Sequence, residues 1–199
     1  QEGDHGLFAN ESWTFKDLID FTLLVSSNDG ANTLAAAAET VIVRREQGLL
    51  SEDSFIDAMN KDVRTIGLAQ TYFLNETGLD PTERFSGSYG SARDVAFLIG
   101  HILRTQPELL SATVYPEATF YSLNDFPHEA ENTNEFVGEI PGLIASKTGF
   151  TDLAGGNLVI VFDAGINRPV VVSVLGSSLE GRFTDTIKLV EASLIDISQ

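Results

Sequence analysis

Between Thr14 and Val25 apolar side chains recur at helical spacing: Phe15, Leu18, Ile19 and Thr22 share one face, and Leu23 and Val25 widen it. Thr14 stands as an N-cap, with Asp17 three residues on as in a variant capping box. The pattern stops at Ser26-Ser27-Asn28-Asp29-Gly30, a cluster of turn formers. A second helix is expected from Asn32 to Val43, rich in Ala and suited to close helix packing. A third is expected from Ser51 to Gly67, capped by Ser51, with Phe55, Met59, Val63 and Ile66 at helical spacing. Ser91 caps a fourth, with Asp94 at its third position and Val95, Leu98, Ile99, Ile102 and Leu103 facing inward. The stretches Thr71–Gly90 and Pro116–Val137 read as ordered loops, the first of them rich in Asn, Gly, Pro and Ser.

After Pro141 the period shortens. Leu143–Lys147 reads as short and extended, and Leu158–Phe162 and Val170–Leu175 are β-branched runs joined by Asp163 to Pro169, which predicts a hairpin with a medium loop. Their near-continuous apolarity predicts strands covered on both faces. Phe183, Ile187, Val190, Leu194 and Ile197 form the stripe of a closing helix that packs on the sheet. Helices first, then an antiparallel sheet and a last helix, give an α+β layering. The chain reads as one domain over 1–199, helical to about 140, with the sheet and closing helix from about 141.

Composition narrows the function classes. A hydrophobic content of 43% over 199 residues suffices for a core. A net charge of -17 argues against nucleic acid as a partner, because phosphate contacts need clustered Lys and Arg, and against docking to anionic lipid. The acidity fits solubility and an extracellular or salty setting. There is no cysteine, hence no disulfide and no thiolate metal site. His5, His101 and His128 are scattered without ligand spacing. No apolar run reaches the ~18 residues of a membrane span, and no signal peptide stands at the start. A start at Gln1-Glu2-Gly3-Asp4, without Met, reads as a processed or cut fragment.

The candidate chemistry lies in Ala145-Ser146-Lys147-Thr148-Gly149-Phe150-Thr151, where the chain enters a strand before a glycine-lined turn. A cationic Lys and a hydroxyl on an edge strand can hold an anionic or peptide ligand, and a Gly beside them lets another chain come close to the backbone. A bare triplet of this kind is more often a solvated edge lysine than a site. Its company changes that reading. Ser26-Ser27-Asn28 lies upstream at a helix junction. It is followed by Phe55-Ile56-Asp57-Ala58-Met59-Asn60, by Asn75-Glu76-Thr77-Gly78-Leu79-Asp80 and by Ser91-Ala92-Arg93-Asp94. Together these resemble the serine-type D-Ala-D-Ala carboxypeptidases, the low-molecular-mass penicillin-binding proteins, over nearly the whole chain.

The resemblance implies a penicillin-binding protein/serine β-lactamase-like transpeptidase fold and assigns roles by position. Ser26 relays protons near the nucleophile, Asn28 binds the substrate amide, and Lys147 supports the proton network and draws anionic substrate. Thr148 binds the terminal carboxylate, Gly149 admits the peptide, and the Phe150 N–H, where many relatives carry histidine after the triplet, is one oxyanion donor. Arg182 matches an arginine near the carboxylate pocket. The implied partners are peptidoglycan stem peptides, with β-lactams as inhibitors; no metal or organic cofactor is implied. The implied location is extracytoplasmic, with a membrane anchor outside this chain.

One signature is missing. A Ser-x-x-Lys nucleophile needs a serine three residues before a lysine, so that the amine reaches the hydroxyl on one helical face. Trp13, Ala58, Ile144 and Asp185 precede Lys16, Lys61, Lys147 and Lys188 at that spacing. The nucleophile, its buried helix and the first strands of the sheet are therefore expected in an N-terminal portion of the same domain that is cleaved off, carried on a second chain or truncated. A truncation of this kind should leave a large apolar surface exposed. The expected activity is a β-lactam-sensitive carboxypeptidase acting through an acyl-enzyme. The alternatives are a D,D-endopeptidase on the same scaffold and a noncatalytic wall-binding relative.

Overall fold

A computed structural model describes residues 6–45 and 54–197. Helix α1 (Phe15–Val25) begins as expected, the Thr14 hydroxyl accepting the Asp17 N–H at 3.1 Å. Its buried face is the expected one only in part. Phe15 is exposed, whereas Leu18, Phe21, Thr22 and Leu24 are buried, because Phe21 and Leu24 pack under Ala130, Trp13 and Phe120. Helix α2 (Asn28–Arg45) begins four residues before the expected Asn32. The Ser27 hydroxyl accepts the Gly30 N–H at 2.9 Å, so the cluster taken as a turn contains the cap and the first turn of the helix. Gly30 is required by contact, since a Cβ there would lie 2.1 Å from the Thr22 hydroxyl oxygen, which itself donates to the Leu18 carbonyl at 2.6 Å. Gly30→Ala is expected to cost about 1–3 kcal/mol in denaturant unfolding, and an unchanged midpoint would show slack between α1 and α2.

Helix α3 (Phe55–Thr65) is capped by Ser54 in a reciprocal box with Asp57, not by Ser51, which lies outside the described residues. A two-residue pair, β1 (Tyr72–Phe73) with β2 (Ser88–Tyr89), closes the loop that follows. Helix α4 (Ala92–Thr105) carries the expected Ser91 cap. A 3₁₀ helix covers Pro107–Val114. Pro116–Val137, expected as loop, contains the antiparallel hairpin β3 (Glu117–Tyr121) and β4 (Pro127–Glu131). Only Ala118 and Phe120 on one strand and His128 and Ala130 on the other face inward, so the alternation is too short and too polar to stand out in the sequence.

The main sheet is antiparallel in the order β5 (Leu143–Thr151), β6 (Gly155–Asp163), β7 (Pro169–Ser177). Strand β5 runs through the Lys-Thr-Gly triplet rather than ending at Lys147. Helix α5 (Gly181–Ile197) closes the chain. On one face of the sheet Leu158, Ile160, Phe162, Val172 and Val174 pack with Phe183 and Val190 of α5. On the other, Ala145, Val159 and Val161 meet Ile99 of α4 and Leu110. Strand β6 is thus covered on both faces, as its apolar run predicts. The order leaves β5 an edge strand, and that edge faces the site.

Candidate active site

A cavity of about 900 Å³ opens between the α1–α2 corner, strand β5, the loop between β1 and β2, and the start of α5. Every residue singled out from the sequence lines it: Ser26, Asn28, Lys147, Thr148, Gly149, Phe150 and Arg182. They come from the α1–α2 corner, strand β5 and helix α5.

Ser26 is the C-cap of α1 and holds φ 59°, ψ 45°, a left-handed conformation that costs a non-glycine residue about 1 kcal/mol or more. That conformation turns the chain sharply from α1 into α2. The Ser26 hydroxyl receives a hydrogen bond from Lys147 Nζ at 2.8 Å, across 121 residues of sequence. Lys147 Nζ also donates to the Thr148 carbonyl at 2.9 Å. No carboxylate pairs with this ammonium among the described residues. Burial, aided by the nearby positive charge of Arg182, lowers the Lys147 pKa to about 8. Asn28 lines the same corner.

The Thr148 hydroxyl is fixed by Thr133, with the two oxygens 2.6 Å apart, and the Thr133 N–H in turn donates to the Leu24 carbonyl at 3.2 Å. Strand β5 is pinned from behind, where the Ser146 N–H donates to the Thr113 hydroxyl at 3.1 Å and the Ser146 hydroxyl to the Thr113 carbonyl at 2.9 Å. Gly149 has an ordinary φ, and a Cβ there would meet only the Asn157 Cβ at 3.7 Å. The fold itself does not require glycine at this position, and the open side lies over the cleft. Phe150 is 43% exposed at the cavity wall.

Arg182 is 8% exposed, near the start of α5. One guanidinium nitrogen, Nη1, donates to the Gly149 carbonyl at 3.1 Å, and the group lies 4.6 Å over the Phe183 ring. Its buried Nε has no hydrogen-bond partner. A buried donor left unsatisfied costs free energy. Burial lowers the Arg182 pKa, and Glu135 and Glu180 oppose the shift.

Sequence reasoning assigned no site role to several residues that hold the cleft. Thr133 positions Thr148, and only tertiary structure brings the two together. Asp94 accepts from the Gln70 N–H at 2.8 Å and the Thr71 hydroxyl at 3.1 Å, which ties the loop wall to α4. Asp80 accepts the Leu153 N–H at 3.1 Å and latches that wall to the β5–β6 turn. His128, read as a stray histidine, is buried against Glu11 at 2.9 Å, and its other ring nitrogen meets the Gly6 carbonyl at 2.9 Å. Burial alone would raise the Glu11 pKa, but the Phe8 N–H and His128 hold it below the usual carboxylate value. This pair straps the first described residues to the hairpin, away from the cavity. Among the described residues no group of three or more His, Cys, Asp or Glu could hold a metal ion.

The sequence profile of the D-alanyl-D-alanine carboxypeptidases matches residues 5–178. D-alanyl-D-alanine carboxypeptidase DacB2 of Mycobacterium tuberculosis is 31% identical over 176 residues, covering 88% of this chain and 55% of that protein. DacA of Escherichia coli K12 is 32% identical over 143 residues, covering 70% of this chain and 32% of its own. The chain therefore spans between a third and about half the length of these relatives. Among solved structures, penicillin-binding protein D2 of Listeria monocytogenes in its ampicillin-bound form superposes with a TM-score of 0.72 at 28% identity. It covers 94% of this chain and 74% of that one. The profile match runs through the Ser26 corner, the β1–β2 loop and strand β5, three of the walls that enclose the cavity. The chain belongs to the D-alanyl-D-alanine carboxypeptidase family.

Proposed function

We propose that this cavity is the substrate cleft of a serine D-Ala-D-Ala carboxypeptidase acting on peptidoglycan stem peptides outside the cytoplasm. The observation that carries the reading is the Lys147–Ser26 hydrogen bond at 2.8 Å, an ammonium and a hydroxyl brought together at the cleft without a carboxylate. The peptide lies along the free edge of β5 and adds a strand there. Its terminal carboxylate meets the Thr148 hydroxyl beside the Arg182 guanidinium, and the buried positive charge favours a free carboxylate over an internal peptide bond. Asn28 holds the amide, and the Phe150 N–H is one donor to the oxyanion.

The nucleophilic serine comes from residues outside these 199 and attacks the scissile carbonyl. The proton from its hydroxyl passes through Ser26 and Lys147 to the leaving D-Ala amine, and water then hydrolyses the acyl-enzyme. Two features support an outside segment that completes the domain. Val25, Phe73, Val95, Leu98 and Leu175 add apolar surface to the cavity lining, against which an outside segment can pack. Strand β7, nine residues long and rich in Val, has an open edge suited to a further strand. A membrane anchor belongs to the same outside sequence; no helix among the described residues is long and apolar enough to cross a membrane.

The test is covalent labelling of the complete gene product by a fluorescent penicillin across a pH series. A labelled band is expected. The affinity for anionic ligand is expected to fall as pH rises through about 8, because Lys147 is charged below that value and neutral above it. Removing the Arg182 charge takes away one cause of the low pKa, so Arg182→Gln should move that limb to higher pH. An unlabelled complete protein would overturn the enzyme reading, and a limb that does not move would remove Lys147 as its source.

A further inference from the structure

The wall formed by the β1–β2 loop carries a cation that none of these assignments uses. Among the described residues no Asp or Glu lines the cavity; the charged lining residues are Lys147, Arg182 and Arg84. Lys147 and Arg182 sit beside the Lys-Thr-Gly strand. Arg84 sits on the loop. We propose that Arg84 forms a second anion subsite in this cleft, which reads a carboxylate on the acyl side of the substrate, upstream of the bond that is cut.

The loop presents Arg84 from a fixed backbone. The Thr82 hydroxyl accepts the N–H groups of both Arg84 and Phe85 at 3.2 Å, and the Ser86 N–H donates to the Tyr89 hydroxyl at 3.0 Å. The Asp80–Leu153 bond at 3.1 Å holds this wall against the β5–β6 turn. The guanidinium itself is uncommitted, for none of the ion pairs among the described residues includes it. Asp80, the neighbouring carboxylate, is engaged with the Leu153 N–H, and Glu83 beside Arg84 does not line the cavity. In a chain of net charge -17, a cleft whose charged lining among the described residues is cationic attracts anions. A ligand with one carboxylate uses the Thr148–Arg182 end and leaves Arg84 in water. A ligand with two carboxylates, one at its C-terminus and one on a side chain upstream, engages both. Arginine suits the second contact because its planar fork can take a carboxylate bidentately.

This inference rests on the carboxypeptidase reading for the direction of the peptide. The experiment reads it separately. Two D-Ala-D-Ala peptides are made with the scissile amide replaced by a ketomethylene group, so that neither can be cut. They are identical except that one upstream side chain ends in a carboxylate in the first and a carboxamide in the second. Affinities for the complete gene product are measured by calorimetry at low and high salt. The native protein is expected to prefer the carboxylate about fivefold at low salt, less at high salt, as fits a contact near the surface. Arg84→Gln should bring the preference close to one, and Arg84→Lys should keep part of it. A native protein without preference, an Arg84→Gln protein that keeps it, or failure of both peptides to bind would overturn the subsite. Equal weakening of both peptides in Arg84→Gln would show a structural role and also overturn it. A preserved carboxylate preference in a protein that penicillin does not label would leave the subsite standing and overturn the carboxypeptidase reading alone.

Discussion

Lys147→Met in the complete gene product is expected to lower the second-order rate of penicillin acylation by about a hundred- to ten-thousand-fold, the range of a lost proton-transfer partner. Methionine keeps most of the length of the side chain but removes the charge and the donors to Ser26 and the Thr148 carbonyl. The loss should not come from unfolding. A lysine whose pKa falls to about 8 in the folded chain destabilises it at neutral pH, by up to about 3 kcal/mol, because the unfolded lysine stays charged to higher pH. The cost is fully present below the folded pKa and vanishes as pH rises toward the unfolded one. The methionine variant escapes it and should unfold at a denaturant concentration equal to or above that of the native protein. Loss of activity with retained or raised stability is the signature of a residue held at the fold's expense. Lys147→Arg separates two roles: it keeps a charge for anionic substrate but cannot give up its proton at neutral pH. Recovery of most of the rate by arginine would make the residue electrostatic only. A methionine variant within threefold of the native rate would remove Lys147 from the chemistry.

The site was legible in the sequence where its chemistry is written in consecutive residues. Lys147-Thr148-Gly149 and Ser26-Ser27-Asn28 each place several functional groups within three positions, so the pattern survives in one dimension. Thr133 does not announce itself, because its job is to meet a hydroxyl 15 positions away on another element. Arg84 is an arginine in a loop until the cavity forms around it. The same division runs through the fold. Thr14 and Ser91 were readable as caps because a cap and its partner lie three residues apart. The early start of α2 was not, because Ser, Asn, Asp and Gly serve equally in turns and in first helical turns; contact between Gly30 and Thr22 makes the choice. Strand β6 was readable because burial on both faces leaves an unbroken apolar run. The β3–β4 hairpin was not, since one face meets α1 and the other carries Glu117, Glu129 and Glu131 into solvent.

Phe162→Ala is expected to cost about 3–5 kcal/mol, a large share of the 5–15 kcal/mol typical of a domain, and to lower the melting temperature by roughly 10 °C. The ring is fully buried on the central strand, packed in the cluster that joins β6 and β7 to Phe183 and Val190 of α5. Strand partners Leu143 and Val170 fix its position from both sides, so the surroundings cannot close readily over the space left behind. Phe162→Leu, which keeps most of the volume, should cost less than half as much. The position also separates stability from chemistry. Phe162 pairs with Leu143 at one end of β5, whereas Lys147 pairs with Val159 further along. Well below its melting temperature the alanine variant should therefore acylate with penicillin at close to the native rate, and on warming it should lose activity together with structure. A loss below 1 kcal/mol would mean that the sheet and α5 do not form one cooperative core. A slow rate in the cold would mean that the far end of β6 bears on the geometry of the cleft edge, and that β5 is not held by Thr113 and Thr133 alone.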